Sequence, residues 1–168
     1  VHTRTAHTLF KLFSLTMALM ALVAGIYLLL MEVSMMMRCS DQVRRIYQAL
    51  ELYEMDRGSL PRLAFYPDEP LTDPDSIRVV LEEYGGDASL WVCPSSHPKI
   101  AATGLSYIWN VQLNGGSLRG RATNTWVIVE INALSSDVPA PHLGFHNVLY
   151  TDGRVERIRH PLEKLPGL

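Results

Sequence analysis

Two histidines four residues apart, His142 and His146, followed by Asp152 and Gly153, are the first side chains in this chain that invite a chemical reading. Imidazole and carboxylate together suit a metal ion, but a site needs three or four ligands converging on one point. The segment reads as a loop entering a strand, where a four-residue spacing does not bring both rings to one helical face. A structural role is therefore expected. His142 hydrogen-bonds to backbone near the Asp152-Gly153 turn, and those two residues supply the turn geometry. Asp68, Glu69, Asp73 and Asp75 form a second cluster, an acidic loop and a weak calcium candidate. It lacks EF-hand spacing and prolines interrupt it, so a solvated loop in which Asp73 or Asp75 caps the next helix is expected.

The chain has two cysteines, Cys39 and Cys93, and no CxxC. Two cysteines alone do not make a zinc site. In a domain carried out of the cytoplasm they suggest one disulfide, which would stabilise the fold by roughly 4 kcal/mol in the chain-entropy account. The alternative is two unrelated buried thiols. Nucleophile motifs are absent: there is no G-x-S-x-G, no phosphate loop and no HExxH. Ser95 and Ser96 beside His97 do not make a triad without a geometric partner. The expectation is a chain with no catalytic residues, no cofactor and no metal.

Leu12 to Met31 is a run of 20 residues without a charge, closed by Lys11 and Glu32. At ~1.5 Å rise per residue, such a helix crosses a hydrocarbon core of ~30 Å. A cleaved signal peptide has a shorter apolar region, and a buried core helix seldom runs so long without a charge. Ala21 and Gly25 form a small-x-x-x-small pair suited to helix–helix packing. Met31 and Met35 to Met37 fall at the lipid–water boundary as adaptable packing. After Lys11 there are 13 basic and 17 acidic residues, which gives no support for a nucleic-acid partner. Lysine and arginine counts around the span do not orient it, but a long folded domain crosses largely regardless of charge.

Val43, Ile46, Leu50 and Tyr53 recur at helical spacing, so an amphipathic helix continues the span, with one helix expected from about Thr8 to Arg57. Gly58 and Pro61 stop it. A proline-rich acidic loop and a short helix, IRVVLEEY, follow, the latter ended by Gly85-Gly86. LSYIWNVQL, TWVIVEINAL and NVLYTDGRVERIR then read as strands, with Asp152-Gly153 marking a tight hairpin.

This order, together with three motifs, resembles type IV pilins and pseudopilins. RCSDQVRRIYQALELYEMDRGSLP opens an amphipathic helix with a Cys and closes it with Gly and Pro. WVCPSS followed by LSYIWN resembles a second Cys-Pro element and a Ser-Tyr strand. His142, nine residues, then Asp152-Gly153 resembles the ending after which the prepilin-type processing-associated domains are named. The resemblance covers most of residues 38 to 156. It implies an α+β pilin-like fold: one long N-terminal helix, a membrane half plus an amphipathic half, packed on a small antiparallel sheet. The expected organisation is a cytoplasmic tail over 1–11, a transmembrane helix with its extension over 12–37, and a globular domain over 38–168 on the periplasmic side of a bacterial inner membrane.

The approach to the span, VHTRTAHTLFKLFSL, departs from the family. No Gly precedes it and no carboxylate occurs before Glu32, whereas prepilins carry a peptidase site and a Glu just inside the hydrophobic segment. An unprocessed anchor is expected, contacting lipid and other membrane-protein subunits. The functional expectation is a non-catalytic single-pass accessory subunit of a larger membrane complex, respiratory or photosynthetic supercomplexes among the hosts. The alternative is a pilin or pseudopilin subunit of a type IV pilus or type II secretion filament. A tethered enzyme or ligand-binding domain is a third class, which needs a pocket with convergent polar groups.

Overall fold

The computed structural model describes residues 2–85, 88–135 and 138–165, with backbone alone at 2–10 and 162. The first helix, α1, runs His2–Arg57, 56 residues. The chain divides into two compact units, Val1–Ser34 and Met35–Leu168.

In the first unit, every described side chain from Leu12 to Met31 is exposed. Leu15 is 67 % exposed and Tyr27, on another face, 62 %, so no side of the helix is spared. A Cβ built on Gly25 meets nothing within 4 Å. Among the described residues this is the one helix long and apolar enough to cross a membrane. By length and composition it is a candidate membrane span.

In the second unit, the amphipathic half of α1 packs on a four-stranded antiparallel sheet. Cys39, Val43, Ile46, Ala49 and Leu50 are all buried, one stripe at helical spacing. Gly58 ends the helix at φ +77, its N–H bonded to the Glu54 carbonyl at 2.8 Å. The strands are β1 Tyr107–Trp109, β2 Trp126–Glu130, β3 His146–Tyr150 and β4 Val155–Ile158, in spatial order 1-2-3-4. The register places Tyr107 opposite Glu130, and Val129 opposite Val148.

Alternation then sorts the side chains. Tyr107, Trp109, Ile128 and Leu149 join the cluster that contains the α1 stripe. Ile108, Trp126, Val129, Val148 and Tyr150 form a second cluster with Ala133, Ile158 and Leu165. An irregularity between Trp126 and Ile128 lets Val127 and Ile128 both join the first cluster.

The short helices are single turns: α2 Ile77–Val80, α3 Glu82–Gly85, α4 Pro98–Ala101 and α5 Pro161–Lys164. IRVVLEEY is thus two turns meeting at Leu81, not one helix, and Gly86 lies outside the described residues. Neither Asp73 nor Asp75 caps α2. Ser76 stands at that position, and its hydroxyl donates instead to the Pro70 carbonyl at 2.7 Å. Asp73 Oδ1 accepts the Asp75 N–H at 2.8 Å, closing a turn of its own. Asp68, Glu69 and Asp75 are exposed.

The expected hairpin forms between β3 and β4, with three residues in its loop. Tyr150 N–H bonds to the Arg154 carbonyl and Gly153 N–H to the Tyr150 carbonyl, both at 2.9 Å. Asp152 Oδ1 accepts the Arg154 N–H at 3.0 Å. Gly153 sits at φ +80, and a Cβ there would lie 2.9 Å from Cε1 of Tyr47 on α1. Tyr47 also donates its hydroxyl to the Thr151 carbonyl at 3.2 Å. The turn therefore needs glycine twice, for its backbone and for the ring laid on it.

Candidate functional site

Four segments of the second unit bring one side chain each to a common point. Cys39 comes from the buried stripe of α1. Cys93 follows a 3-10 turn, Ala88–Trp91. Its N–H donates to Ser106 Oγ at 3.1 Å, while Ser106 N–H donates to the Trp91 carbonyl at 2.8 Å, so the loop is stitched to the start of β1. Glu130 is the last residue of β2. His142 begins a two-residue turn in which His142 and Phe145 exchange backbone hydrogen bonds at 3.3 and 3.0 Å. The central residues, Leu143 at φ +53 and Gly144 at φ +88, both have the positive φ of a type I′ turn.

The Sγ atoms of Cys39 and Cys93, a Glu130 carboxylate oxygen and a His142 ring nitrogen all lie within 4.8 Å of one another, and all four residues are buried. Cys39 Sγ donates to Glu130 Oε1 at 3.1 Å. His142 Nε2 is 2.8 Å from the same oxygen and 3.4 Å from Cys93 Sγ. Asn147, next along β3 from His146, donates its backbone N–H to Glu130 Oε2 at 2.9 Å and its side-chain amide to Oε1 at 3.0 Å. Ser40 Oγ in turn donates to Asn147 Oδ1 at 3.0 Å. Tyr107 Oη lies 3.5 Å from Cys39 Sγ.

These contacts set the charges. Burial alone would raise the Glu130 carboxyl, but His142, the Cys39 thiol and the Asn147 N–H outweigh it and hold it below the usual carboxylate value. Burial pulls the His142 imidazole down, but Cys93 and Glu130 overcome that and raise it to about 9. The Cys39 hydrogen bond leads in lowering the Cys93 thiol to about 7, against burial and with help from His142. Burial, first of all, pushes the Cys39 thiol far up. The Tyr107 phenol is also raised, chiefly by burial.

This structure holds no Cys39–Cys93 disulfide, and both residues stand as free thiols. Each sulfur has a polar partner in reach, a carboxylate for Cys39 and an imidazole for Cys93, which separation along the chain does not reveal. His142 is also placed differently from expectation. Its ring reaches Glu130 and Cys93 rather than backbone near Asp152-Gly153. His146 is buried and its Nδ1 has no partner among the described residues, as is true of His142 Nδ1. Burial lowers the His146 imidazole. Ser96 Oγ pairs with Ser106 Oγ at 2.6 Å, and His97 Nδ1 accepts the Lys99 N–H as the cap of α4, so neither serves a triad.

Glu130 is the residue the sequence reading missed. The signal was present: a carboxylate closing the otherwise apolar strand Trp-Val-Ile-Val-Glu has both faces of a covered sheet around it. The other three members belong to the three motifs quoted above, the helix-opening Cys, the Cys-Pro element and the His before Asp-Gly. Sequence motifs far apart in the chain are thus one cluster in space.

The chemistry open to this cluster follows from its geometry. Cysteine, histidine and glutamate suggest a nucleophile relay, but a relay uses both ring nitrogens in series. Here one atom, Nε2, faces both sulfur and carboxylate. The surface cleft lined by Tyr47, Glu51, Leu118 and Arg119 includes none of the four residues. Two sulfurs, a nitrogen and an oxygen converging on one point form a ligand set for a transition-metal ion. No family model, no curated protein and no solved structure matches this chain.

Proposed function

We propose that this protein is a non-catalytic, single-pass accessory subunit of a larger membrane assembly. The observation that carries the reading is the exposure of Leu12 to Met31 on every face of α1, with Ala21 exposed and, among the described residues, open space around a Cβ built on Gly25. Lipid covers part of such a surface, and a neighbouring helix seated on the small pair covers the rest. On this reading the second unit stands on the exported side of a bacterial inner membrane, the side that the pilin resemblance implies, and flanking charge does not bar a long folded domain from crossing. Respiratory and photosynthetic supercomplexes are hosts of the right kind.

A filament subunit of the pilin or pseudopilin class is the second reading. It is favoured by α1 itself, a helix of 56 residues whose C-terminal half packs on an antiparallel sheet, the arrangement that the pilin resemblance implies. Mild-detergent purification followed by electron microscopy and mass spectrometry separates the two. The accessory reading expects discrete particles containing other membrane subunits in fixed ratio. A helical polymer of this chain alone supports the filament reading, and a lone monomer contradicts both.

A further inference from the structure

We propose that Cys39, Cys93, Glu130 and His142 bind one divalent transition-metal ion of the zinc class, as a closed structural site that ties α1 to the sheet. The donor set is two thiolates, one imidazole nitrogen and one carboxylate oxygen, the ligand types and number of a tetrahedral zinc site. Dimensions agree. Zinc bonds of about 2.0–2.3 Å imply ligand-to-ligand edges of about 3.3–3.8 Å in a tetrahedron. The observed edges are 3.1 Å for Cys39 Sγ to Glu130 Oε1, 3.4 Å for Cys93 Sγ to His142 Nε2 and 2.8 Å for His142 Nε2 to Glu130 Oε1. The Cys93–His142 edge falls in that range, and the two edges to Glu130 Oε1 are shorter, at hydrogen-bond length.

The surroundings also fit. Asn147 grips both oxygens of Glu130 and Ser40 grips Asn147, the kind of outer support that orients a ligating carboxylate. The Cys93 loop is fastened through Ser106, and His142 is aimed by its backbone turn. All four ligands are buried, so no coordination position faces solvent for a substrate, which makes the site structural rather than catalytic. Thiolate donors select against calcium and magnesium, which take oxygen ligands. Binding replaces the thiol protons, and the proton His142 carries on Nε2, by the metal: three ligand anions and one neutral imidazole face a 2+ ion, leaving a net charge of −1. No oxidation is involved.

The test uses the full chain in detergent, purified without chelator and under reducing conditions. Plasma mass spectrometry after desalting is expected to find about one zinc per chain. Exchange for cobalt is expected to give thiolate-to-cobalt charge-transfer absorption and the intense visible bands of a tetrahedral site. Cys93→Ala and His142→Gln are expected to lose the metal, while His146→Gln, a change to a buried neighbour outside the set, keeps it. Should the ligand variants fail to fold, the wild-type stoichiometry and cobalt spectrum decide. Folded protein that stays metal-free when offered zinc or cobalt overturns the proposal. So does protein from the native membrane, isolated without reductant, that is metal-free and lighter by two hydrogens, because a Cys39–Cys93 disulfide then occupies the site. Cobalt spectra lacking thiolate bands overturn it as well.

Discussion

His142 Nε2 stands 2.8 Å from Glu130 Oε1, and neither side chain is accessible to solvent. An ion pair so placed is costly to break from one side, because the surviving charge is left buried without a partner. Its dependence on pH follows. In metal-free protein the His142 imidazole is raised to about 9, so its contribution is complete below its ordinary value near 6.5 and is lost as pH rises through about 9. Glu130 is shifted the other way, so its contribution is complete above the ordinary carboxylate range and is lost as pH falls through its depressed value. NMR titration of the His142 ring in metal-free protein is expected to give a midpoint near 9, and Glu130→Gln to move it down. A midpoint near 6.5 would show that the pair is not formed.

The Asp152-Gly153 turn offers a comparison of two glycines. Gly153→Ala meets both a positive φ and Tyr47 Cε1 at 2.9 Å, while Gly144→Ala meets a positive φ with nothing within 4 Å. The backbone term is about 1–2 kcal/mol in each case. Overpacking against the ring adds about 1–3 kcal/mol at Gly153 alone. Denaturant unfolding is expected to rank Gly153→Ala as the more damaging, with Tyr47→Ala coupled to it in a double-mutant cycle. Equal costs would mean that the ring does not rest on the turn.

Leu143 holds φ +53 while 58 % exposed. An exposed leucine gains little from burial to offset that backbone cost. Leu143→Asn is expected to stabilise the domain by about 1 kcal/mol, measured as a rise in the denaturant midpoint, since asparagine tolerates this region. A drop in stability would indicate that the leucine makes contacts with a partner or with lipid.

The span responds to charge in its own way. Ile26, half-exposed in the middle of the apolar run, is replaced by arginine at a cost of about 2.5–3.5 kcal/mol for insertion. Ile26→Arg is expected to shift the protein toward the fraction released by alkaline carbonate, whereas Leu52→Arg, on an exposed position of the second unit, leaves extraction unchanged. Equal behaviour of the two would argue that the run does not sit in a bilayer.

Much of the fold was legible because period and punctuation report on local structure. Val43, Ile46 and Leu50 gave the buried stripe, Gly58 the stop, and the three β-branched and aromatic runs the strands. The site was legible only in pieces. Cys39, Cys93 and His142 stood out singly, but sequence separation says nothing about which of them meet. Cysteine count and compartment therefore pointed to a disulfide. Glu130 went unread, although it closes an apolar strand whose residues are all buried. The direction of the His142 ring depends on a turn that places a leucine at positive φ, which turn preferences do not anticipate. Asp73 misled for a related reason, since a carboxylate that closes its own turn is not free to cap a helix, and Ser76 rather than Asp75 stands at the cap position of α2.

The most direct test of the membrane-subunit reading is site-specific photocrosslinking from within the span. A photoreactive residue placed at Leu22, next to Ala21, in otherwise native membranes is expected to give discrete crosslinked bands to different membrane proteins, identified by mass spectrometry. Adducts to lipid alone would contradict the account, and a ladder of this chain crosslinked to itself would place the helix in a filament instead.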